Sequence, residues 1–421
     1  MTPSWREMGR TFGRIGLLSF GGPAAQIALM HRELVESRGW LDERRFAAAL
    51  SFCMLLPGPE AMQLATYCGW RLRGARGGLL AGGLFVLPGA AVIFALAGLY
   101  AAHGELPAVR AAFLGVQAAV LAIVVQAVIR LSRRALRTRA SVAVAALAFA
   151  ALFALAIPFP VVIAAAVLWG FAAPARPDAA GPAPAPAAGA AAESLRAALL
   201  WGAIWLAPLA AIALTGPPIL WEVGAFFSRL AVLTFGGAYA VLAWVAQEAV
   251  AGRGWLTAEQ MIDALGLAEA TPGPLILVTQ FVGIFAGLPE GRGMAIAAGL
   301  VTLHATFAPC FLWIFAGAPW LETITTRPRL RGALDAVTAA VVGVIGNLAL
   351  WFAAHVLFRT VDEAAFGAVH LLVPSGARPA AFALAAGSAV LLIRLRWPLA
   401  AVLAASAAAS LALHAGSAPG S

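Results

Sequence analysis

The sequence predicts an all-α polytopic membrane protein with two homologous halves in inverted topology and helices broken by glycine and proline. Three observations lead to this prediction. The 421-residue chain is 62% hydrophobic and 11% charged, with a mean hydropathy of +0.89, whereas soluble chains carry about 25% charged residues. One stretch occurs twice, and glycine and proline interrupt each copy. The arginines are distributed differently around the two copies.

The repeated stretch runs from Phe12 to Pro59 and again from Phe227 to Pro274. The copies align without a gap at an offset of about 215 positions, which indicates an internal duplication. The matched elements are Arg14 with Arg229, Phe-Gly-Gly at 20–22 and 235–237, Gly-Trp-Leu at 39–41 and 254–256, and Pro-Gly-Pro at 57–59 and 272–274. We call Phe-Gly-Gly and Pro-Gly-Pro the FGG break and the PGP break of each copy.

The composition argues against several classes of protein. All 28 basic residues are arginine, so the chain lacks the lysine of a P-loop, of a retinal Schiff base or of a lysine nucleophile. The three cysteines, Cys53, Cys68 and Cys310, lie in apolar surroundings without metal-ligand spacing. We therefore expect no metal site, no disulfide and no cofactor. The arginines cluster at the ends of apolar segments, which indicates membrane orientation rather than nucleic-acid binding.

The pieces on either side of each break are short. Each has about 13 residues, or about 20 Å of helix, whereas the hydrocarbon core is about 30 Å thick. Arginines flank both ends of the first broken unit, so we expect it to enter the membrane and return. A single kinked crossing is the alternative. Longer apolar segments follow at residues 77–102, 107–131, 140–157 and 159–173.

The predicted organisation is an N-terminal repeat at 1–173, a Pro/Ala-rich linker at 174–192 and a C-terminal repeat at 193–421. An extra span at 195–214 makes the number of crossings between the copies odd, so the second copy should be inverted. The loops of the second copy carry only Arg253 and Arg292, which favours an external position for these loops. Further spans are predicted at 295–313, 334–357, 380–393 and 399–413. The N-terminus should then be cytoplasmic and the C-terminus periplasmic.

The breaks are the expected site of function. Broken helices persist in a membrane where they line a protected cavity, and inverted repeats commonly place the substrate at the repeat interface. A helix N-terminus follows each break, near Ala24, Glu60, Tyr239 and Leu275. Each terminus presents N–H groups and about half a positive charge. Four such termini suit a divalent oxyanion.

Side chains near the breaks complete the candidate site. Arg14 and Arg229 offer guanidinium forks, although Arg14 could instead extend to the cytoplasmic interface. Glu60 and Glu269 are candidates for proton coupling, with Glu60 as a first-turn acid being the alternative. We expect no catalytic residue. The candidate substrate-binding residues are Arg14, Gly21, Gly22, Gln26, Gly58, Gln63, Arg229, Gly236, Gly237 and Gly273.

Four motifs resemble the chromate ion transporter family in its long, two-domain form: FGGP at 20–23, GWLDE at 39–43, LLPGP at 55–59 and GGLFVLP at 82–88. The resemblance implies a secondary transporter that exports chromate across the bacterial inner membrane, coupled to the proton gradient, and so confers chromate resistance. The chain departs from the family at Gln26, where histidine is frequent, and at Glu60, where a small apolar residue is frequent.

Three alternatives stay open from the sequence. Sulfate or another tetrahedral oxyanion could be the substrate, since geometry discriminates it poorly from chromate. A membrane-embedded enzyme would need a nucleophile and base or metal ligands at one depth, and the sequence offers none. A passive anion channel would need no carboxylate at the breaks. The expected partners are chromate, protons and membrane lipid, without nucleic acid, and a homodimer is left open.

Overall fold

The computed structural model describes residues 3–173, 189–235, 237–321, 328–366 and 369–417. Most of the predicted linker and Gly236 therefore lie outside the described residues. The first half is helical. Its helices are α1 (Trp5–Leu18), α2 (Gly22–His31), α3 (Glu43–Cys53), α4 (Glu60–His103), α5 (Pro107–Ala135), α6 (Arg139–Phe153) and α7 (Phe159–Ala172).

The second half begins with a helix whose first turn lies inside the stretch assigned to the linker. Its helices are α8 (Ala190–Thr215), α9 (Pro218–Leu233), α10 (Ala238–Ala246), α11 (Ala258–Glu269), α12 (Val278–Gly287), α13 (Arg292–Gly317), α14 (Pro328–Leu357), α15 (Pro379–Ala389) and α16 (Leu399–Ser417). Short 3₁₀ turns precede and follow α12, at Leu275–Leu277 and Leu288–Glu290.

The chain is predominantly helical, as predicted, and a β-hairpin between α14 and α15 is an addition that the sequence did not predict. Strands β1 (Phe358–Phe366) and β2 (Val369–Ala377) pair antiparallel, with Phe358 opposite Ala377. The hydroxyl oxygens of Thr360 and Ser375 lie 2.6 Å apart across the strands. These residues are too polar for a membrane span, and strand pairing satisfies their backbone groups.

The structure confirms that the helices are interrupted at all four breaks. In the first copy, α1 ends at Leu18 before the FGG break, and α4 begins at Glu60 directly after the PGP break. In the second copy, α9 ends at Leu233 before the FGG break, and a 3₁₀ turn begins at Leu275 directly after the PGP break. The reason is local, since proline cannot continue a helical hydrogen-bond ladder and glycine disfavours helix.

The two copies also share local geometry between their breaks. A π-helical turn follows α2 at Arg32–Ser37, and an equivalent turn follows α10 at Gln247–Gly252. Directly beyond these turns, Gly39 has a φ of 60° and Gly254 a φ of 61°. Equal conformations at equivalent positions indicate that the duplication extends from sequence to local structure.

Among the described residues, six helices are long and apolar enough to cross a membrane, which indicates a multi-pass membrane protein. They are Glu60–His103, Pro107–Ala135, Ala190–Thr215, Arg292–Trp320, Arg329–Leu357 and Leu399–Gly416. The longest is kinked, because Arg73 and Gly74 leave helical geometry. The helices at Arg139–Phe153 and Phe159–Ala172 are shorter than the spans predicted there. The number of crossings therefore stays a prediction.

The chain divides into two compact units, and each unit draws segments from both halves of the sequence. The first unit comprises Met1–Ala95, Gly170–Val241 and Thr271–Leu334. In it α13 packs against α8, α9 and α12. Its core contains the fully buried rings of Phe12, Phe52, Phe85, Phe227 and Phe281. All four breaks lie in this unit.

The second unit comprises Leu96–Trp169, Leu242–Ala270 and Asp335–Ser421. Its central helix is α5, which packs against α11, α15 and α16. The approach of α16 is close at Gly115, where the backbone of Ser406 leaves no room for a Cβ atom. The hydroxyl of Ser406 donates to the carbonyl oxygen of Gly115 at 2.7 Å. Small residues therefore set this helix contact.

Candidate functional site

The two copies of the repeat meet at their breaks through a pair of backbone hydrogen bonds. The N–H of Gly58, in the first PGP break, donates to the carbonyl oxygen of Thr234 at 2.7 Å. The N–H of Gly273, in the second PGP break, donates to the carbonyl oxygen of Ser19 at 3.0 Å. Ser19 and Thr234 are equivalent positions, each directly before an FGG break. The PGP break of each copy is therefore bonded to the FGG break of the other.

The same two acceptor residues also cap their own helices through their side chains. The Ser19 hydroxyl donates to the carbonyl oxygen of Ile15 at 2.5 Å, and the Thr234 hydroxyl donates to that of Leu230 at 2.6 Å. Both residues are fully buried, and carbonyls in a last helical turn lack intrahelical donors. Neither residue is among the site residues predicted from the sequence, although a hydroxyl residue directly before each FGG break is a signal that the sequence contains.

Gln26 reinforces one of the two junctions. Its side chain is only 2% exposed. Its Nε2 donates to the carbonyl oxygen of Gly273 at 2.7 Å and to that of Ser19 at 3.1 Å. One amide group thus joins the FGG break of the first copy to the PGP break of the second. This contact links residues that lie far apart in sequence, and it brings a predicted site residue to the junction.

Gly58 and Gln63 form a tight contact at the other junction. Gly58 has a φ of 125°, and a Cβ atom placed on it would lie 2.6 Å from Gln63 Nε2 and 3.0 Å from Cys310 Sγ. Gln63 is fully buried, and its Nε2 donates to the carbonyl oxygen of Pro57 at 2.7 Å. Its Oε1 is buried and has no hydrogen-bond partner among the residues that the structure describes. A buried amide oxygen of this kind is open to a ligand or water donor.

The remaining predicted glycines that the structure describes have backbone conformations that disfavour other residues. The φ angle is 85° at Gly21, 78° at Gly22, 100° at Gly237 and 96° at Gly273. Gly236 lies outside the described residues. Around Gly22 and Gly237 a Cβ atom would meet nothing within 4 Å. At these two positions glycine is therefore required by the turn and not by crowding.

A helix N-terminus follows three of the breaks within two residues of the predicted position. These helices begin at Gly22, Glu60 and Ala238. After the second PGP break, a 3₁₀ turn begins at Leu275 and α12 follows it. First-turn N–H groups and the positive end of the helix dipole are the groups that bind anions at helix termini.

The two predicted arginines are exposed, unlike the buried glutamines at the breaks. The Arg14 side chain is 62% exposed, and its Nη1 lies 3.5 Å from Glu33 Oε1. Glu33 also accepts from the Nη1 of Arg38. Arg229, the equivalent of Arg14 in α9, is exposed as well. The structure thus gives Arg14 a carboxylate partner, and its role in anion binding stays a prediction.

The two predicted proton carriers occupy different settings. Glu60 is half-buried as the first residue of α4, where its charge complements the helix dipole. Glu269 is 5% exposed as the last residue of α11. Both residues interact with other parts of the protein. Neither position is tested by the geometry, and both stay predictions.

The groups assembled at the breaks are backbone amides, glutamine amides and helix N-termini, which are neutral or partially positive groups of the kind that can bind an anion. Among the described residues, no group of three or more His, Cys, Asp or Glu side chains could hold a metal ion. The three cysteines are buried free thiols.

Comparison with known proteins leads to one family. The sequence model of the chromate transporter family matches residues 6–171 and 221–411, one segment in each half of the chain. The chain is 36% identical over 378 residues to a chromate transport protein of Pseudomonas aeruginosa, covering 87% of this chain and 86% of the relative. It is 31% identical over 350 residues to a chromate transport protein of Cupriavidus metallidurans, covering 82% of this chain and 81% of the relative. No solved structure matches the chain.

The matched segments include both FGG breaks and both PGP breaks, together with the residues that bond them to one another. The family relationship therefore covers the repeat, the broken helices and the junctions between them, and it confirms the resemblance seen in the sequence motifs. The chain belongs to the chromate transporter family.

Proposed function

We propose that the protein is a secondary transporter that exports chromate across the bacterial inner membrane, driven by the proton gradient, and that it confers chromate resistance. The observation that carries this proposal is the reciprocal bonding of the breaks, from Gly58 to Thr234 and from Gly273 to Ser19. Such junctions between broken helices of two repeats are where transporters of inverted-repeat design bind substrate. The curated relatives are named chromate transport proteins, which supports chromate as the substrate.

The proposed anion site uses backbone groups first. The N-termini of α2, α4 and α10 each carry about half a positive charge, and the positive-φ glycines let the backbone approach a ligand. Gln26 holds the backbone at the breaks through its two bonds to Ser19 and Gly273. Gln63 has a second N–H beside the one that donates to Pro57, and Arg14 and Arg229 add charge in the proposed site. A tetrahedral dianion such as chromate matches this set of donors.

The transport cycle that we propose couples anion export to proton entry. Glu60 or Glu269 would carry the coupled proton, because carboxylates near membrane depth are costly unless they have a function. In this proposal the two repeats have inverted topology with re-entrant broken helices, the N-terminus is cytoplasmic and the C-terminus is periplasmic. Sulfate is the second candidate substrate, favoured by its identical shape and charge.

Chromate flux in proteoliposomes tests the proposal. Purified protein is reconstituted, and chromate movement is followed with and without an imposed pH gradient and with sulfate as a competitor. We expect flux that the pH gradient accelerates and that excess chromate analogues reduce. Flux that sulfate abolishes at equal concentration would change the substrate assignment, and flux without any response to pH would remove the proton coupling.

A further inference from the structure

The second unit contains a large cavity that the sequence motifs did not indicate. Its volume is about 990 Å³. It is lined by the last turn of α4, the first half of α5, the start of α11, the hairpin, the first residues of α15 and the end of α16. All the lining residues belong to the second unit. The helix ends that line the cavity are those that the predicted topology assigns to the periplasmic face.

Asp263 is the buried acid of this cavity. It is 3% exposed and lies in the middle of α11. The hydroxyl of Tyr100 donates to its Oδ2 at 2.6 Å, and the Nε2 of Gln117 donates to its Oδ1 at 2.9 Å. Both donors are neutral. Each carboxyl oxygen of Asp263 therefore accepts one hydrogen bond from a protein side chain. The carboxyl group has no ion-pair partner among the described residues.

The charged groups of the cavity lie around this acid. Glu259, one helical turn before Asp263, pairs with Arg378 at 3.6 Å. Arg110, on α5, pairs with Glu105. Two of the lining arginines are thus engaged by carboxylates at the rim. The titratable and charged lining groups are Tyr100, Glu105, Arg110, Glu259, Asp263, Arg359, Arg378 and His414.

This setting suits a group that alternates between charged and neutral forms. A buried carboxylate held only by neutral donors pays a desolvation penalty that a bound proton removes. Glu259 adds a like charge on the same helix face, which further favours the neutral acid. Both forms can be hydrogen-bonded, since a protonated Oδ2 can donate to the Tyr100 oxygen while Gln117 still donates to Oδ1.

The repeat offers a further argument. In the first copy the position equivalent to Asp263 is Ala48. The duplicated fold is therefore built at this position without a carboxylate. A buried acid that only one copy carries is therefore not needed to form the helix. Since carboxylates in a membrane protein interior are energetically costly, such an acid is a functional candidate.

We propose that Asp263 is a proton-binding site of the transport cycle, which takes up a proton from the solution in this cavity and releases it in a later state. The proposal rests on proton-coupled export as the proposed function, and it adds a carboxylate to the two selected from the sequence.

The test combines a direct titration with a transport measurement. In purified protein, the infrared C=O band of a protonated carboxylic acid is followed as a function of pH in the wild type, in Asp263→Asn and in Glu259→Gln. We expect a band that disappears as the pH rises, that is missing in Asp263→Asn and that persists in Glu259→Gln. Asparagine has nearly the same shape and can bond both Tyr100 and Gln117, so the fold should survive.

In proteoliposomes, we expect Asp263→Asn to transport chromate under a pH gradient no faster than without one, while Glu259→Gln keeps the acceleration of the wild type. An unchanged band and an unchanged response to the gradient in Asp263→Asn would overturn the role of Asp263. A wild-type protein that ignores the gradient would instead overturn the proton coupling of the proposed function. In that case the infrared titration still decides whether Asp263 binds a proton.

Discussion

The N–H of Gly273 donates to the carbonyl oxygen of Ser19 at 3.0 Å, across two copies of one repeated sequence. Its counterpart, from Gly58 to Thr234, measures 2.7 Å. The relationship is reciprocal. In each bond the donor is the glycine of a PGP break and the acceptor is the residue before an FGG break, but the copy that supplies the donor in one bond supplies the acceptor in the other. A backbone hydrogen bond of this kind requires that the helix is interrupted in both copies. In a continuous helix, the backbone N–H and carbonyl groups would bond within the helix. The breaks of the two copies therefore depend on each other.

Gly58→Ala should damage the protein more than an ordinary glycine substitution. Alanine at a φ of 125°, with Gln63 Nε2 at 2.6 Å from its Cβ, costs about 1–3 kcal/mol in backbone strain. We expect a lower thermal midpoint in detergent and loss of chromate flux. Gly98→Ala is the matched control, since a Cβ there meets nothing within 4 Å. Equal behaviour of the two variants would contradict the tight junction.

Gln26→Ala should weaken the junction between Ser19 and Gly273. It removes a donor from two buried carbonyl groups. The Ser19 carbonyl keeps the N–H of Gly273, whereas the Gly273 carbonyl loses its side-chain donor, and an unsatisfied buried group costs about 1–3 kcal/mol. Gln26→Glu should be worse for transport, because it places a negative charge beside the proposed anion site. Gln126→Ala serves as the control, as Gln126 is half-buried and makes two long hydrogen bonds, to Leu392 and from Arg130, each of 3.4 Å. Chromate affinity and thermal midpoint are measured together.

Replacement of Arg14 or Arg229 by alanine should lower chromate affinity about 10- to 150-fold, because a charge-assisted bidentate contact contributes roughly 1.5–3 kcal/mol. Lysine should recover part of the loss, since it keeps the charge and loses the fork. Glu33→Gln separates this role from the ion pair of Arg14 with Glu33. Near-wild-type affinity in both alanine variants would leave backbone amides and neutral side chains as the anion ligands.

The contribution of His31 to stability should depend on pH. Its Nε2 lies 2.6 Å from Glu43 and its Nδ1 lies 3.1 Å from Glu36. The hydrogen bond to Glu43 raises the pKa of His31 above its ordinary value of 6.5. Stabilisation from a raised pKa is complete below the unfolded value and disappears as the pH rises through the folded value. His31→Gln should therefore be less stable than the wild type in mild acid and equally stable at alkaline pH, by thermal unfolding.

Inverted topology predicts opposite exposure of equivalent loops. Arg44 should be cytoplasmic and Arg253 external, because an odd number of crossings separates the copies. The measurement is labelling of single cysteines at these positions with an impermeant reagent, in a variant that lacks Cys53, Cys68 and Cys310. Labelling of both positions from the same side would end the inverted-repeat proposal.

The sequence by itself determined where the helices break and that the broken unit occurs twice. Glycine and proline act on the nearest few residues, through a left-handed φ at Gly21 and a missing N–H at Pro57, so their effect can be read locally. The same local information located the helix N-termini at the breaks. It did not reveal the hairpin formed by β1 and β2, whose strands depend on pairing with each other.

Only the tertiary structure decided which groups meet. Gln26 bonds a carbonyl 247 positions away, and Asp263 accepts hydrogen bonds from residues 163 and 146 positions away. No local pattern distinguishes Asp263 from an exposed acid of an amphipathic helix, because its burial follows from packing against α5 and the end of α4. In the same way, the exposure of Arg14 and its pairing with Glu33 depend on how α1 meets the turn after α2. Propensity acts along the chain, whereas desolvation and pairing act through space.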